Sequence, residues 1–306
     1  MELRQLKYFL KIAELGSFSK ASLALHIAQP ALSQRMAQLE GELGCALFHR
    51  RHNGVQMTEH GEAFFAHAQR VVKLVDDLPN AVTRCRDELR GSVSLGLPQS
   101  SAMQFAAPLI EALQRHHPSI SLEIYEELSG NLLRQLNAGQ LDLAILVNDQ
   151  DLEVVDAVML MQEELFLAST PERVLGDCVG IQQLGTLPLT LPGQRHGVRA
   201  MVDAAVRAHG MLPLAPSIVA NSLGIMRRLV ESGTVCSVLT WASVSDSVAA
   251  RRIKLTPLHP RLTRRVSLCT AKSAATSMAA EAVRDLLIHL TRDQVKSGKW
   301  QGVSPL

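Results

Sequence analysis

The run His26-Ile27-Ala28-Gln29-Pro30-Ala31-Leu32-Ser33-Gln34-Arg35-Met36-Ala37-Gln38-Leu39-Glu40 decides how the chain begins. Pro30 suits the first turn of a helix, because the N–H it lacks would find no partner there in any case. Leu32, Met36, Leu39 and Leu43 then recur at helical spacing and predict one buried face. At about 100° per residue the opposite face centres on Pro30, Gln34 and Gly41, flanked by Ser33, Ala37 and Gln38. An ordinary surface helix would be rich in Lys and Glu there, whereas Gln, Ser and Ala permit close approach to base edges. Gln pairs with both N6 and N7 of adenine, Ser donates or accepts, and Ala leaves room for a thymine methyl. Periodicity alone fits a plain solvated helix equally well, and the preceding residues shift the balance towards nucleic-acid reading.

Leu3, Leu6, Phe9, Leu10, Ile12 and Ala13 predict a first amphipathic helix over Leu3 to Leu15, ending before Gly16. Ser17-Phe18-Ser19 offers cap hydroxyls for a short second helix, Lys20 to Leu25, packed through Ala21 and Leu25. Helix, turn, short helix, tight connection and Pro-started helix is the helix-turn-helix order, whose last helix enters the major groove. Further on, Asn53-Gly54 predicts the turn of a small hairpin, a wing bearing Arg50 and Arg51 with His49 and His52. Such cations neutralise phosphates and fix register without specifying sequence. Taken alone, the same run reads as solvated charge.

Leu3-Arg4-Gln5-Leu6-Lys7-Tyr8-Phe9, Gly16-Ser17-Phe18-Ser19-Lys20-Ala21, Gln29-Pro30-Ala31-Leu32-Ser33-Gln34, Leu39-Glu40 and Leu47-Phe48-His49-Arg50 together resemble the amino-terminal signature of LysR-type transcriptional regulators. Within that family the run Leu25 to Gln34 is similar to the nitrogen assimilation control subgroup, although relatives share it widely. The DNA-contacting set expected from these readings is Gln29, Pro30, Ser33, Gln34, Ala37, Gln38, Arg50 and Arg51.

The chain has 306 residues, room for two or three domains. It is 47% apolar but only 4% aromatic, so its cores must rest on Leu, Val, Ile, Ala and Met. The net charge of +2 argues nothing globally, but residues 1–58 hold 7 Lys/Arg against 4 Asp/Glu, so the positive end is the helix-turn-helix end. Five scattered cysteines, Cys45, Cys85, Cys178, Cys236 and Cys269, have no metal-ligand spacing and read as free thiols in a reducing cytoplasm. Neither a spanning apolar run nor a signal peptide is seen, so no membrane association is expected. Ser100 and Ser101 lack a nucleophile elbow, no phosphate-cradling glycine loop is present, and the histidines lack trustworthy metal spacing. The expectation is therefore a protein that is no enzyme and carries no cofactor or metal.

Thr58 is placed to cap a long helix in which Phe64, Ala68, Val71, Val75, Leu78, Val82, Cys85 and Leu89 alternate in steps of 4 and 3. Such a seam implies a partner helix, and the resemblance implies a linker that pairs between subunits. Pro79 predicts a kink or break near Val75 to Pro79, at a cost of about 3 kcal/mol. Beyond Gly91 short apolar strands alternate with helices, which predicts a largely parallel sheet covered by helices. The fold class expected is α+β multidomain: a winged helix-turn-helix over 1–58, a linker helix over 59–90, and a regulatory domain over 91–306. The resemblance implies that this last part is a two-lobed α/β domain of the periplasmic-binding-protein kind, with lobe one over 91–161 and 266–306 and lobe two over 162–265. The tail from Lys296 to Leu306 reads as frayed.

In open α/β sheets ligands sit beyond the carboxyl ends of strands, near helix N-termini. Strand ends and resemblance together nominate Ser100, Ser101, Ser129, Val147, Val198, Asn221 and Ser222 as effector contacts, although each Ser or Asn is individually an ordinary helix cap. Some acid-sensing relatives carry a basic residue where Val147 stands; either Arg195 or Arg199 substitutes for it here, or the effector is less acidic, or there is none. The partners implied are double-stranded DNA at an interrupted dyad, a small organic acid or related metabolite, a second subunit through the linker, a homotetramer, and RNA polymerase. Two other readings stay open: a regulator of this kind that needs no effector, and a solute-binding receptor without DNA specificity.

Overall fold

The computed structural model describes residues 1–51, 54–82, 89–147, 152–194, 196–272 and 276–304. The chain divides into two compact units, and the first comprises Met1–Gly91 together with Asn137–Gln140. It contains α1 (Leu3–Leu15), α2 (Phe18–Ala24), α3 (Gln29–Leu43), β1 (Phe48–Arg51), β2 (Gly54–Met57) and α4 (Glu59–Val82). Gly16 ends α1 at φ +59°, a left-handed conformation that glycine adopts without strain, and its N–H donates to the Ile12 carbonyl. The Ser17 hydroxyl then accepts from the Lys20 N–H at 3.3 Å and opens α2. Phe9, Ile12, Leu32, Met36, Leu39 and Leu47 are fully or almost fully buried, and the Phe9 ring lies 5.0 Å from those of Phe48 and Phe64. Leu43 departs from expectation: it is 39% exposed, because α3 closes at Gly44 and its last turn runs beyond the core.

The β1–β2 hairpin is fixed to α3 by Glu40, whose Oε1 accepts from the Leu47 N–H at 2.7 Å and the Phe48 N–H at 3.2 Å. β1 and β2 pair antiparallel with Arg51 opposite Gly54. Asn53, the first residue of the expected turn, and His52 of the arm lie outside the described residues. Thr58 caps α4 as expected, accepting from the Gly61 N–H at 2.9 Å while donating to the Ala46 carbonyl at 2.7 Å. Gly61 lets the helix approach β1 closely, since a Cβ there would collide with the Leu47 carbonyl oxygen.

Of the kink or break expected near Val75 to Pro79, the break does not occur: α4 passes through Pro79 to Val82. Proline forfeits one backbone bond, to the carbonyl four residues earlier, and the turns on either side carry the ladder past it. The helix also stops short of the predicted end, for Leu89 and Arg90 are not helical. Its seam divides in two: Phe64 and Ala68 join the core of the unit, whereas Val71 and Leu78 are exposed, Val75 is half-buried, and Leu74, off the predicted seam, adds a third exposed apolar residue beside them. Cys85, further along the predicted seam, lies outside the described residues.

The second unit comprises Ser92–Leu136 and Leu141–Leu306. In chain order its elements are β3 (Gly91–Leu97), α5 (Gln99–His116), β4 (Ile120–Glu126), α6 (Ser129–Asn137), β5 (Leu143–Val147), β6 (Val155–Ser169), β7 (Val179–Gly180), β8 (Thr190–Leu191), α7 (Gly197–Ala208), β9 (Ile218–Val219), α8 (Leu223–Glu231), β10 (Ser237–Thr240), α9 (Ser245–Ala249), β11 (Lys254–Ala271), α10 (Met278–Lys296) and β12 (Val303–Ser304). The main sheet runs β10-β6-β11-β5-β3-β4, with β12 on β6 and β7 on β11.

That sheet is not largely parallel. β3 and β5 are parallel, but β5–β11, β11–β6 and β6–β10 are antiparallel. The reason is two long strands: β6 and β11 face each other from Val155↔Ala271 to Ser169↔Lys254. β11 pairs with β5 at Val266–Cys269, while β6 pairs with β10 at Leu165–Ala168, so this ribbon joins two α/β lobes by a double crossover. Local βαβ alternation governs only the strands outside it. Leu132, Leu136, Ala144 and Cys269 form part of one lobe's core, and Leu189, Val202, Val206 and Val238 part of the other's.

Through Ser304 the tail is not frayed, and Pro305 and Leu306 lie outside the described residues. Trp300 is buried against Phe105 with ring centroids 5.0 Å apart, and Val303 and Ser304 pair with Glu163 and Gln162 of β6. Gly302 fits beneath the Phe166 ring, where a Cβ would clash, and its carbonyl accepts from the Glu164 N–H at 2.8 Å.

Candidate nucleic-acid surface and ligand cavity

On α3 the burial pattern separates two faces. Leu32, Met36 and Leu39 are buried, while Gln29, Pro30, Gln34, Ala37 and Gln38 are exposed and Ser33 is half-buried. Six of the eight expected DNA contacts thus lie along one helix, and Arg50 and Arg51 belong to β1 of the wing. Sequence reasoning treated the reading face as uncharged and passed over Arg35, the one cation of α3, which is also exposed. It also passed over the structural part played by Glu40. An acidic residue three positions before the helix end carried no signal of a strand that begins eight residues later.

Between the two lobes of the second unit lies a cavity of about 650 Å³. The first residues of α5, α6, α7 and α8 line it, so four helix N-termini open into one space. Unpaired N–H groups at such ends favour an anion. Ser100, Ser129, Val147, Val198, Asn221 and Ser222 line the cavity, whereas Ser101 is buried in the first turn of α5 and does not. Several have local partners as well. The Ser129 hydroxyl accepts from the Val147 N–H at 3.2 Å, Asn221 Oδ1 accepts from the Gly193 N–H at 2.8 Å, and Ser222 caps α8 through the Ile225 N–H at 3.4 Å.

Residues that sequence reasoning did not nominate complete the wall. Gln99 reaches from one lobe to the other, its Oε1 accepting from the Leu223 N–H at 3.0 Å. Arg264 is 4% exposed and directly opposite Glu163 on the β6–β11 ribbon. Its Nε and Nη2 both donate to Glu163 Oε2, at 2.9 and 2.7 Å, and Nη2 also donates to the Ser100 hydroxyl at 2.8 Å. His196 Nδ1 accepts from the Val198 N–H at 3.2 Å, which leaves its proton on Nε2. Burial, and then the positive charge of Arg264, hold this imidazole below its ordinary pKa of 6.5. Nothing in the local sequence marks Arg264, because its partners lie 101 and 164 positions away.

Of the two cations offered as substitutes, Arg199 is elsewhere. Arg199 donates to Asp203 at 2.9 Å and to the Leu214 carbonyl at 2.9 Å, within lobe packing and away from the cavity. A short carboxylate one turn along the same helix captures it. Arg195 lies outside the described residues. Burial raises the Cys236 thiol pKa and pushes that of Cys269 up to about 12, so neither is a thiolate near neutral pH. Among the described residues no group of His, Cys, Asp and Glu could hold a metal, and no helix is long and apolar enough to cross a membrane.

Two family models match the chain. Residues 3–62 match the bacterial regulatory helix-turn-helix protein of the lysR family, and residues 86–292 match the LysR substrate binding domain. The nitrogen assimilation regulatory protein nac of Klebsiella aerogenes is 31% identical over 309 residues, covering 99% of this chain and all of that one, and the Escherichia coli K12 protein of the same name matches equally. A full-length OxyR structure from Pseudomonas aeruginosa superposes with a TM-score of 0.76 at 26% identity over 95% of both chains. CbnR, at 21% identity and a TM-score of 0.65 over 95% of this chain and 99% of that one, shares the fold.

Proposed function

This chain belongs to the LysR family of DNA-binding transcriptional regulators, and from that premise we propose that its α3 face reads an interrupted dyad while a small metabolite in the inter-lobe cavity modulates the outcome. The division of labour is 1–58 for DNA, 59–90 for subunit pairing and 91–306 for the effector. The observation that carries the reading is the joining, in one chain, of an amide-bearing exposed helix face to a cavity lined by the first residues of four helices. Gln29, Pro30, Ser33, Gln34, Ala37 and Gln38 read bases, and Arg50 and Arg51 engage phosphates. Ser100, Ser129, Val147, Val198, Asn221 and Ser222 contact the effector. The exposed stretch Val71, Leu74 and Leu78 of α4 pairs two subunits, and pairs assemble into tetramers that work with RNA polymerase in the cytoplasm. The effector shifts the balance between two DNA-bound states by its differential affinity for them, on the order of 1–3 kcal/mol.

Passing fragmented genomic DNA from the source organism over the purified protein, and sequencing what is retained, tests this. Enrichment of an interrupted dyad upstream of a few operons is expected, and the enzymes encoded there nominate metabolites for the cavity. Retention without any shared dyad, across several salt concentrations, would overturn the reading of α3.

A further inference from the structure

The geometry of Arg264 deepens this reading of the cavity and rests on it. An arginine in a two-oxygen fork with a carboxylate satisfies both oxygens at once. Here both donating nitrogens go to one oxygen, Oε2 of Glu163, and the other oxygen, Oε1, is buried and accepts no hydrogen bond among the described residues. The third nitrogen, Nη1, has no partner among the described residues either, and Arg264 lines the cavity. A nearly buried arginine with one nitrogen unused therefore lines the cavity into which four helix N-termini open, and such ends favour negative charge.

The surrounding charge limits what that nitrogen binds. Glu163 already cancels the charge of Arg264, and Glu126 and Glu127 line the same cavity, so a ligand with two negative charges meets two further carboxylates. Most of the remaining wall is apolar, including Leu128, Leu133, Leu146, Met226 and Leu239. We propose that Arg264 is the cationic anchor of this cavity, and that Glu163 with the Glu126–Glu127 wall restricts its ligand to a small monocarboxylate with an apolar body. Ser100, held by the same guanidinium, ties the anchor to the start of α5, so ligand bound at Arg264 acts on a contact made by both the crossover ribbon and lobe one.

The test uses the full-length protein and titration calorimetry with a panel of aliphatic and aromatic monocarboxylates, the dicarboxylate of each skeleton, and the neutral amide of each monoacid. At least one monocarboxylate is expected to bind more than tenfold tighter than its amide and its dicarboxylate. Glu163→Gln, which removes the internal competitor and keeps its shape, should tighten that monocarboxylate by roughly tenfold. Arg264→Gln combined with Glu163→Gln leaves no lone buried charge and should lose the preference over the amide while keeping its melting transition. If the monocarboxylate binds the double variant as tightly as the natural protein, Arg264 is not the anchor, though the cavity reading stands. Preference for a dicarboxylate or an amide overturns the ligand class alone. A panel in which nothing binds, even to Glu163→Gln, overturns the proposal, and Val198→Trp, which fills the cavity, then asks the separate question. If this variant leaves reporter transcription in cells unchanged, the cavity reading fails too.

Discussion

Gln34 stands exposed near the middle of α3 and is proposed to meet a base edge with both its donor and its acceptor. Gln34→Ala is expected to weaken operator binding by about 1–3 kcal/mol per half-site and to leave non-specific binding almost unchanged. Quantitative footprinting beside a mobility assay on unrelated DNA checks it. Arg50→Ala or Arg51→Ala should instead weaken both, lowering the slope of log affinity against log salt by about 0.9 per cation. His196 gives a prediction of a different kind. Its pKa is depressed in the folded protein, so the unfolded chain binds the extra proton more readily. The stability it contributes is complete above about pH 6.5 and declines as pH falls from there through the folded pKa. Melting temperatures between pH 7.5 and 5.5 should therefore fall more steeply for the natural protein than for His196→Asn, which caps the helix without titrating in that range. At this scale the sequence was most legible on α3, where one helix sets both faces. It was least legible at Arg264, whose chemistry depends on Glu163 and Ser100 arriving from distant parts of the chain.

Secondary structure in the first unit follows local rules closely, since α1 spans Leu3–Leu15 as the periodicity predicts and Thr58 caps the next long helix. What local rules miss is how elements lock together. Glu40 holds the first two N–H groups of the wing, so the wing's angle to α3 depends on one carboxylate. Glu40→Ala removes two hydrogen bonds to a charged acceptor, and a loss of about 1.5–3 kcal/mol in stability is expected, read by chemical denaturation. Affinity for DNA should fall by more than that loss in folded population explains. Pro79 shows a limit of another kind: of the kink or break that its average cost predicts, the break does not occur, because its neighbours sustain the helix to Val82. The tail was misread because Gly298 and Gly302 signal looseness in a sequence, yet Gly302 is there so that the chain can pass under Phe166.

Over the whole molecule, the exposed Val71, Leu74 and Leu78 of α4 are the apolar stretch that a second subunit is proposed to cover. Leu74→Lys with Leu78→Lys should convert dimers into monomers by light scattering. Operator affinity should drop by about 10²–10⁴-fold, because the two half-sites are no longer bound as one event. The two-lobed plan itself was read from likeness and alternation, while the antiparallel ribbon at its centre was not, since no local pattern pairs residue 155 with 271 or 169 with 254. That ribbon has a consequence for inheritance. The lobe around α7 and α8 is a single continuous insert whose two seams lie side by side on the ladder, and Glu163 and Arg264 sit one at each seam. A recombination or graft that exchanges the insert must carry both residues or neither. Any chimaera that splits them leaves a lone charge sealed inside the protein, so the pair acts as a compatibility check on which lobes can be swapped.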